Sequence, residues 1–173
     1  MIGLPKFEKE YFQKFSTKPV TIKPYDPKSK VVAEKYIKKL TKLLESFNVE
    51  IIHRGSTAFK ISGKGDVELG VYPTEGTWFQ VLENLVNYYK GVGCLENNYA
   101  RFNDELDGFE IEVIMMKGHE ATVDKKLTKY LLANPEILKK YEKIKGKYSF
   151  SKREYQIQKD KFLRGVVSQI PDD

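Results

Sequence analysis

A Gly-Ser turn followed by two spaced carboxylates is the sequence feature that most constrains how this chain can fold. Residues 49–54 have the apolar character of a strand and run directly into Gly55-Ser56. A short loop with two further glycines leads to a second apolar segment, which carries Asp66 and Glu68. Because side chains two residues apart in a strand point to the same face, we expect these two carboxylates to lie side by side.

This pattern predicts a site for phosphates and a divalent metal ion. Paired carboxylates supply the hard oxygen ligands that Mg²⁺ prefers. The turn residues Gly55, Ser56 and Thr57 offer backbone N–H groups and hydroxyls that suit phosphate oxygens. Lys64, in the loop before the carboxylates, is positioned to neutralise a triphosphate, although a solvated lysine is the alternative. Glu68 has apolar neighbours, and a buried carboxylate needs a partner, a metal or an aqueous cleft.

A third carboxylate is required if the site performs two-metal nucleotidyl transfer. The predicted strand 109–114 offers Glu112, and Glu110 on the same face is a second candidate. We therefore predict that Asp66, Glu68 and Glu112 are the catalytic and metal-binding residues for Mg²⁺ or Mn²⁺. The alternative is that Glu110 and Glu112 line an open sheet face and pair with lysines.

Hydrophobic periodicity predicts an α/β (α+β) fold, with helices flanking a mixed β-sheet and a helical C-terminal part. Strands are expected at 20–22, 49–54, 66–72, 99–102 and 109–114, the last two joined by an Asp-Gly turn. Helices are expected at about 28–47, 78–89 and 121–133, then from Asn134-Pro135 to Gly146, and from a Ser151 capping box to about residue 169. The core sheet is thereby placed within residues 20–116, and the C-terminal helices within 120–169.

Composition places few limits on function. At 173 residues, with 40% apolar and 31% charged side chains, the chain is expected to form a single nucleotidyltransferase-like domain (1–173). No apolar run approaches the ~18 residues needed to span a bilayer, so no membrane partner is predicted. Cys94 is the single cysteine; no intrachain disulfide can form, which fits a cytoplasmic location.

The positive charge is concentrated towards the C-terminus. Residues 117–173 contain 14 Lys and Arg against 8 Asp and Glu, whereas residues 1–116 contain 16 of each. Such asymmetry can mark a surface that binds a polyanion. Because acidic residues are interleaved among the lysines, solvated helices are the preferred interpretation.

The chain resembles the GrpB-like family of the nucleotidyltransferase superfamily. The similar segments are 24–27 (Pro-Tyr-Asp-Pro), 55–58 (Gly-Ser-Thr-Ala), the helix junction 130–136 and the helix 155–162. The resemblance covers residues 20–168 and implies the fold and the class of site, with Lys64 and Glu68 at family positions. Members of that family often have isoleucine at the position of Asp66 and histidines at those of Glu110 and Glu112, so this chain is richer in carboxylates.

Three kinds of function follow from these observations. The leading hypothesis is an Mg²⁺-dependent nucleotidyltransferase that moves an NMP from an NTP to a hydroxyl acceptor, with Gly55, Ser56, Thr57 and Lys64 binding the nucleotide. A small-molecule or protein acceptor is predicted rather than RNA. The alternative is a non-catalytic module that keeps the fold and binds a nucleotide or nucleic acid; a third possibility is an interaction protein that docks through its basic helices.

Overall fold

Five strands form one mixed sheet in the computed structural model, which describes residues 9–171. The strands are β1 (Val49–Arg54), β2 (Val67–Pro73), β3 (Cys94–Glu96), β4 (Tyr99–Leu106) and β5 (Phe109–Met116). They lie side by side in the order β1-β2-β5-β4-β3. Strands β2 and β5 are parallel, and the other neighbouring pairs are antiparallel. The two strands predicted to carry the carboxylates are therefore direct neighbours.

Seven helices accompany this sheet in the described part of the chain. They are α1 (Lys9–Gln13), α2 (Lys28–Leu43), α3 (Gly55–Ala58), α4 (Trp78–Tyr89), α5 (Gly118–Ala133), α6 (Pro135–Lys147) and α7 (Lys152–Val167). A 3₁₀ turn at Glu75–Thr77 precedes α4. Within residues 9–171, no helix is both long and apolar enough to cross a lipid bilayer.

The main hydrophobic core lies between α2, α4 and one face of the sheet. Helix α2 has the spacing of an amphipathic helix, and its apolar stripe, including Tyr36 and Leu40, is buried. From the sheet, the alternate residues Val67, Leu69 and Val71 face this core. Since successive strand side chains alternate between faces, Glu68 points to the opposite side of the sheet.

Helices α5, α6 and α7 form a second hydrophobic core on the side of the sheet to which Glu68 points. Its buried members include Val123, Leu127 and Leu131 of α5, with Tyr141 of α6 and Val167 of α7. A smaller cluster joins α5 to the sheet: its buried members are Tyr72, Ile114, Met116 and Ala121. The carboxylate-bearing face of the sheet is thus enclosed in part by the C-terminal helices.

Most of the predicted elements are present, and the Asp-Gly hairpin is confirmed by the antiparallel pairing of β4 with β5. Asp107 and Gly108 both have positive φ, of 52° and 79°, as a tight turn of this kind requires. Ser151 is confirmed as the N-cap of α7, since the Glu154 N–H donates to its hydroxyl at 3.4 Å. The Ser151 N–H, which the Glu154 side chain would bind in a full capping box, donates instead to the Tyr148 carbonyl at 3.4 Å.

One strand prediction is wrong, and one strand was not predicted. Residues 20–22 belong to no strand; the sheet begins at Val49, not at residue 20. The chain there instead follows the C-terminal helices, with the Val20 N–H donating to the Ser149 carbonyl at 2.7 Å, and then forms one bridge between Lys23 and Gly63. The short edge strand β3 was not predicted, because its three residues are too few to show periodicity.

Several helix ends also differ from the predicted positions. Helix α2 ends at Leu43 rather than near residue 47, and α5 begins at Gly118 rather than residue 121. Gly146 lies inside α6, which continues to Lys147, so it does not terminate that helix. Asn134 makes no side-chain cap; its amide donates back to the Tyr130 carbonyl at 2.7 Å. Helix α7 ends at Val167 rather than residue 169.

Candidate metal and nucleotide site

The parallel pairing of β2 with β5 brings the three predicted carboxylates together. The register places Glu68 directly beside Glu112, and Asp66 immediately precedes β2 on the same face. One carboxylate oxygen from each of the three residues lies within 4.8 Å of the others. Glu110 is not part of this group and instead lines a neighbouring cleft. Of the two alternatives for the third carboxylate, Glu112 is therefore the residue that the fold brings to Asp66 and Glu68.

Each member of this carboxylate trio (Asp66, Glu68 and Glu112) is paired with a basic side chain. Lys64 Nζ lies 2.6 Å from Asp66 Oδ2, Arg54 Nη1 lies 3.2 Å from Glu68 Oε2, and Arg101 Nη1 lies 3.6 Å from Glu112 Oε1. Asp66 is only 7% exposed, and ionised carboxylates at such depth are stable only when they are neutralised. Each carboxylate of the trio therefore has a basic side chain beside it.

Burial and neighbouring charge shift the pKa values of the two glutamates in opposite directions. Burial raises the pKa of Glu68, but Arg54, Lys159 and Lys64 outweigh it and hold that pKa below its usual value. The pKa of Glu112 is raised, by burial and by the adjacent Glu68 carboxylate. Glu68 therefore remains ionised more readily than Glu112, as expected when the first is held by a fixed arginine.

The Gly-Ser turn is shaped by its approach to Glu68. Gly55 has φ of +75°, and a Cβ atom at this position would lie 2.5 Å from Glu68 Oε1. Both the backbone conformation and the close contact therefore require glycine. Gly63 is similarly close to the turn: a Cβ there would lie 2.6 Å from Ser56 Oγ.

Lys145 of α6 reaches into this turn from the C-terminal helices. Its ammonium donates to Ser56 Oγ at 2.7 Å and to the Ser62 carbonyl at 2.5 Å, and the residue is only 1% exposed. Burial, with a further contribution from Lys159, lowers the pKa of Lys145 to about 8. Glu142, on the same helix as Lys145, accepts a hydrogen bond at Oε1 from the Ser62 N–H at 2.6 Å. This buried lysine was not identified from sequence.

The Thr57 hydroxyl joins the turn to Asp66 and to His53 by hydrogen bonds. It donates to the Asp66 carbonyl at 3.1 Å and lies 3.0 Å from His53 Nε2. Because the hydroxyl proton is used towards Asp66, His53 is the donor in the second bond. The Thr57 side chain is thus engaged within the protein. Its contact with a nucleotide stays a prediction.

Arg54 connects the trio to helix α5. Its second terminal nitrogen lies 2.6 Å from Asp124 Oδ1, and Asp124 Oδ2 accepts from the Tyr72 hydroxyl at 2.5 Å. Burial lowers the pKa of Arg54, but the Asp124 and Glu68 carboxylates outweigh it and raise that pKa above its usual value. This chain of contacts fixes the guanidinium beside Glu68. Neither Arg54 nor Asp124 was assigned a role from sequence.

A cleft of about 870 Å³ is lined by the turn, by Asp66 and by the outer part of the sheet. One wall is the loop 23–28, and the other is the end of the β4–β5 hairpin, with Glu105 and Glu110. A smaller cavity of about 50 Å³ lies on the other side of the turn, lined by Glu68, Lys159 and the helices α5–α7. Asp66 and the turn therefore have a space beside them large enough for a small ligand.

Comparison with solved structures assigns the fold to the nucleotidyltransferases. The structure of the GLD-2/RNP-8 complex matches with a TM-score of 0.56 and 15% identity, over 91% of this chain and 62% of that one. The Cid1 poly(U) polymerase with Mg and 3′-dATP bound matches with a TM-score of 0.50 and 12% identity, over 79% of this chain and 42% of that one. This chain thus spans only part of these structures.

The family model described as GrpB protein matches residues 19–169. The chain belongs to the GrpB family, which agrees with the resemblance in its sequence. None of the curated proteins matches it significantly.

Proposed function

We propose that this protein is a divalent-metal-dependent nucleotidyltransferase that moves an NMP from an NTP to a hydroxyl acceptor. The observation that carries the proposal is the convergence of Asp66, Glu68 and Glu112 within 4.8 Å, next to the Gly-Ser turn. Three hard oxygen donors at this spacing fit Mg²⁺ or Mn²⁺. When bound, such ions acidify an attacking hydroxyl and neutralise charge on the phosphates.

The phosphates of the nucleotide are assigned to the side of the site formed by the turn. Gly55 and Ser56 supply a backbone N–H and a hydroxyl, and Lys64 and Lys145 supply positive charge next to them. The acceptor hydroxyl releases its proton to solvent as its oxygen bonds to the α-phosphorus. The bond from that phosphorus to the bridging oxygen breaks, and pyrophosphate leaves. Fixed donors around the turn hold the triphosphate in line for this displacement.

We assign the acceptor to the cleft and favour a small molecule or a protein side chain over RNA. Glu105 and Glu110 lie directly opposite each other across β4 and β5 on the cleft wall. An acidic wall repels a phosphate backbone, whose binding depends on neutralisation by Lys and Arg. The basic surplus of residues 117–173 is therefore not evidence for an RNA acceptor.

The decisive experiment incubates the protein with each labelled NTP and with Mg²⁺ or Mn²⁺, together with candidate protein, RNA and small-molecule acceptors. Label transfer is expected with one acceptor class, and EDTA is expected to abolish it. Asp66→Asn, Glu68→Gln and Glu112→Gln should each reduce transfer by at least about 100-fold, the scale typical of losing one charge-stabilising group. Glu83→Gln, an exposed carboxylate on α4, is the matched control and should leave transfer unchanged.

The same experiment separates the enzyme from the non-catalytic alternative. Nucleotide binding without transfer to any acceptor class would favour a module that has kept the fold but lacks turnover. Nucleotide affinity that is indifferent to EDTA and to the three carboxylate substitutions would contradict the assigned site.

A further inference from the structure

The three basic partners of the carboxylate trio differ in how firmly they are held. Arg54 is pinned by Asp124 as well as by Glu68, and its side chain is 21% exposed. Lys64 is 43% exposed and makes its ion pair with Asp66 at 2.6 Å. It lies between Gly63 and Gly65, and Gly65 has φ of +89°. Arg101 is 40% exposed and lies 3.6 Å from Glu112. Lys64 is the half-exposed partner that directly contacts Asp66, and a half-exposed ion pair costs little free energy to break.

The Lys64 ammonium and a divalent cation cannot both bind the same face of Asp66. With an N–O separation of 2.6 Å, the ammonium is in direct contact with Asp66 Oδ2, one of the two oxygens that a metal could coordinate. A divalent ion at this oxygen would also repel the ammonium strongly at such short range. An ion that binds the trio through this oxygen therefore requires Lys64 to move away.

We propose that a divalent cation displaces Lys64 from Asp66, and that the released Lys64 then binds the triphosphate of the nucleotide. This inference rests on the proposed function, and it assigns Lys64 the role of coupling metal binding to phosphate binding. Ser56 and Lys64 line the same cleft, so the released ammonium stays next to the turn. Because such coupling is reciprocal, the metal should strengthen phosphate binding through Lys64, and phosphate should strengthen metal binding.

The test compares wild type with Lys64→Gln, using Lys60→Gln as the matched control. Lys60 is an exposed lysine in the same loop. In Mn²⁺ titrations without nucleotide, followed by electron paramagnetic resonance, Lys64→Gln should bind Mn²⁺ about fivefold more tightly, because no ion pair has to be broken. Lys60→Gln should match wild type.

The second measurement is the affinity for inorganic tripolyphosphate, which avoids any dependence on the base. With Mg²⁺ present, Lys64→Gln should bind tripolyphosphate about tenfold more weakly, the loss expected for one charge-assisted contact. In EDTA the same substitution should have almost no effect, because Lys64 is then held by Asp66. Asp66→Asn should release Lys64 without metal and so raise the affinity for tripolyphosphate in EDTA severalfold.

Each contrary result overturns the exchange. Weaker or unchanged Mn²⁺ binding by Lys64→Gln would show that Lys64 does not compete with the ion. An equal loss of tripolyphosphate affinity with and without Mg²⁺ would show that the lysine is never sequestered by Asp66. If wild type binds Mn²⁺ but the affinities of the variants change in the opposite directions, the exchange fails while the transferase proposal stands. If wild type binds no Mn²⁺ and transfers no label, both fail.

Discussion

The buried lysine of helix α6 provides the sharpest test of the structure. Lys145 is 1% exposed, and burial lowers its pKa from 10.5 to about 8. In the unfolded chain the same group regains its ordinary value. Between about pH 8 and pH 10.5 the unfolded state therefore binds more protons than the folded state, and the free energy of unfolding rises with pH.

The size of this effect follows from the two pKa values. Raising the pH from about 7 to about 9.5 should increase the contribution of Lys145 to the free energy of unfolding by about 2 kcal/mol. The substitution Lys145→Met removes the titrating group and should abolish this gain. The substitution also removes the donor to the Ser56 hydroxyl and the Ser62 carbonyl. This loss lowers the free energy of unfolding by about 1–3 kcal/mol at every pH. The pH dependence, rather than stability at one pH, is thus the informative quantity.

Urea denaturation in EDTA at the two pH values measures the effect directly. The difference in unfolding free energy between wild type and Lys145→Met should change by about 2 kcal/mol between them. Lys143→Met, an exposed position on the same helix, controls for the general effect of removing a lysine. Parallel pH profiles for wild type and Lys145→Met would refute the conclusion that this lysine is buried with a depressed pKa.

Two further substitutions separate the site from the scaffold. Gly55→Ala should lower the free energy of unfolding by about 1–3 kcal/mol because of its positive φ, and should weaken Mn²⁺ binding because the new Cβ displaces Glu68; titration calorimetry that shows unchanged Mn²⁺ affinity would contradict this. Ser151→Ala removes the cap of α7 and should cost about 1 kcal/mol in urea denaturation, with Mn²⁺ affinity unchanged; a lower affinity would mean that α7 positions the trio.

Part of the carboxylate arrangement could be predicted because it depends on local rules. Alternation along a strand fixes the face of Glu68 relative to Asp66, and the Asp-Gly turn identifies the strand that carries Glu112. The choice between Glu110 and Glu112 could not be made from sequence, because both lie on one face of β5. The parallel register of β2 with β5, which decides it by placing Glu68 opposite Glu112, depends on how non-adjacent segments meet.

The failure at residues 20–22 has a related cause. Three apolar or β-branched residues have the composition of a strand, but composition does not specify a pairing partner. In the fold, this segment runs along the start of α7, where the Lys152 N–H donates to the Lys18 carbonyl at 2.7 Å. Within the segment the Val20 N–H donates to the Ser149 carbonyl, and just after it Lys23 exchanges two backbone hydrogen bonds with Gly63. The segment is therefore held by loop and helix-end contacts rather than by the sheet.

The missed residues Lys145 and Asp124 share a signal that was present in the sequence. On α6 the buried positions are Leu138, Tyr141 and Lys145, so the lysine occupies an apolar stripe with spacings of three and four. On α5, Asp124 likewise falls between the buried Ala121 and Thr128. A charged residue within an apolar stripe must find a partner inside the protein. Lys145 finds Ser56 in the Gly-Ser turn, and Asp124 finds Arg54, which directly precedes the turn. The C-terminal helices are thus not simply a solvated surface, because Lys145 contacts Ser56 of the turn and Asp124 contacts Arg54.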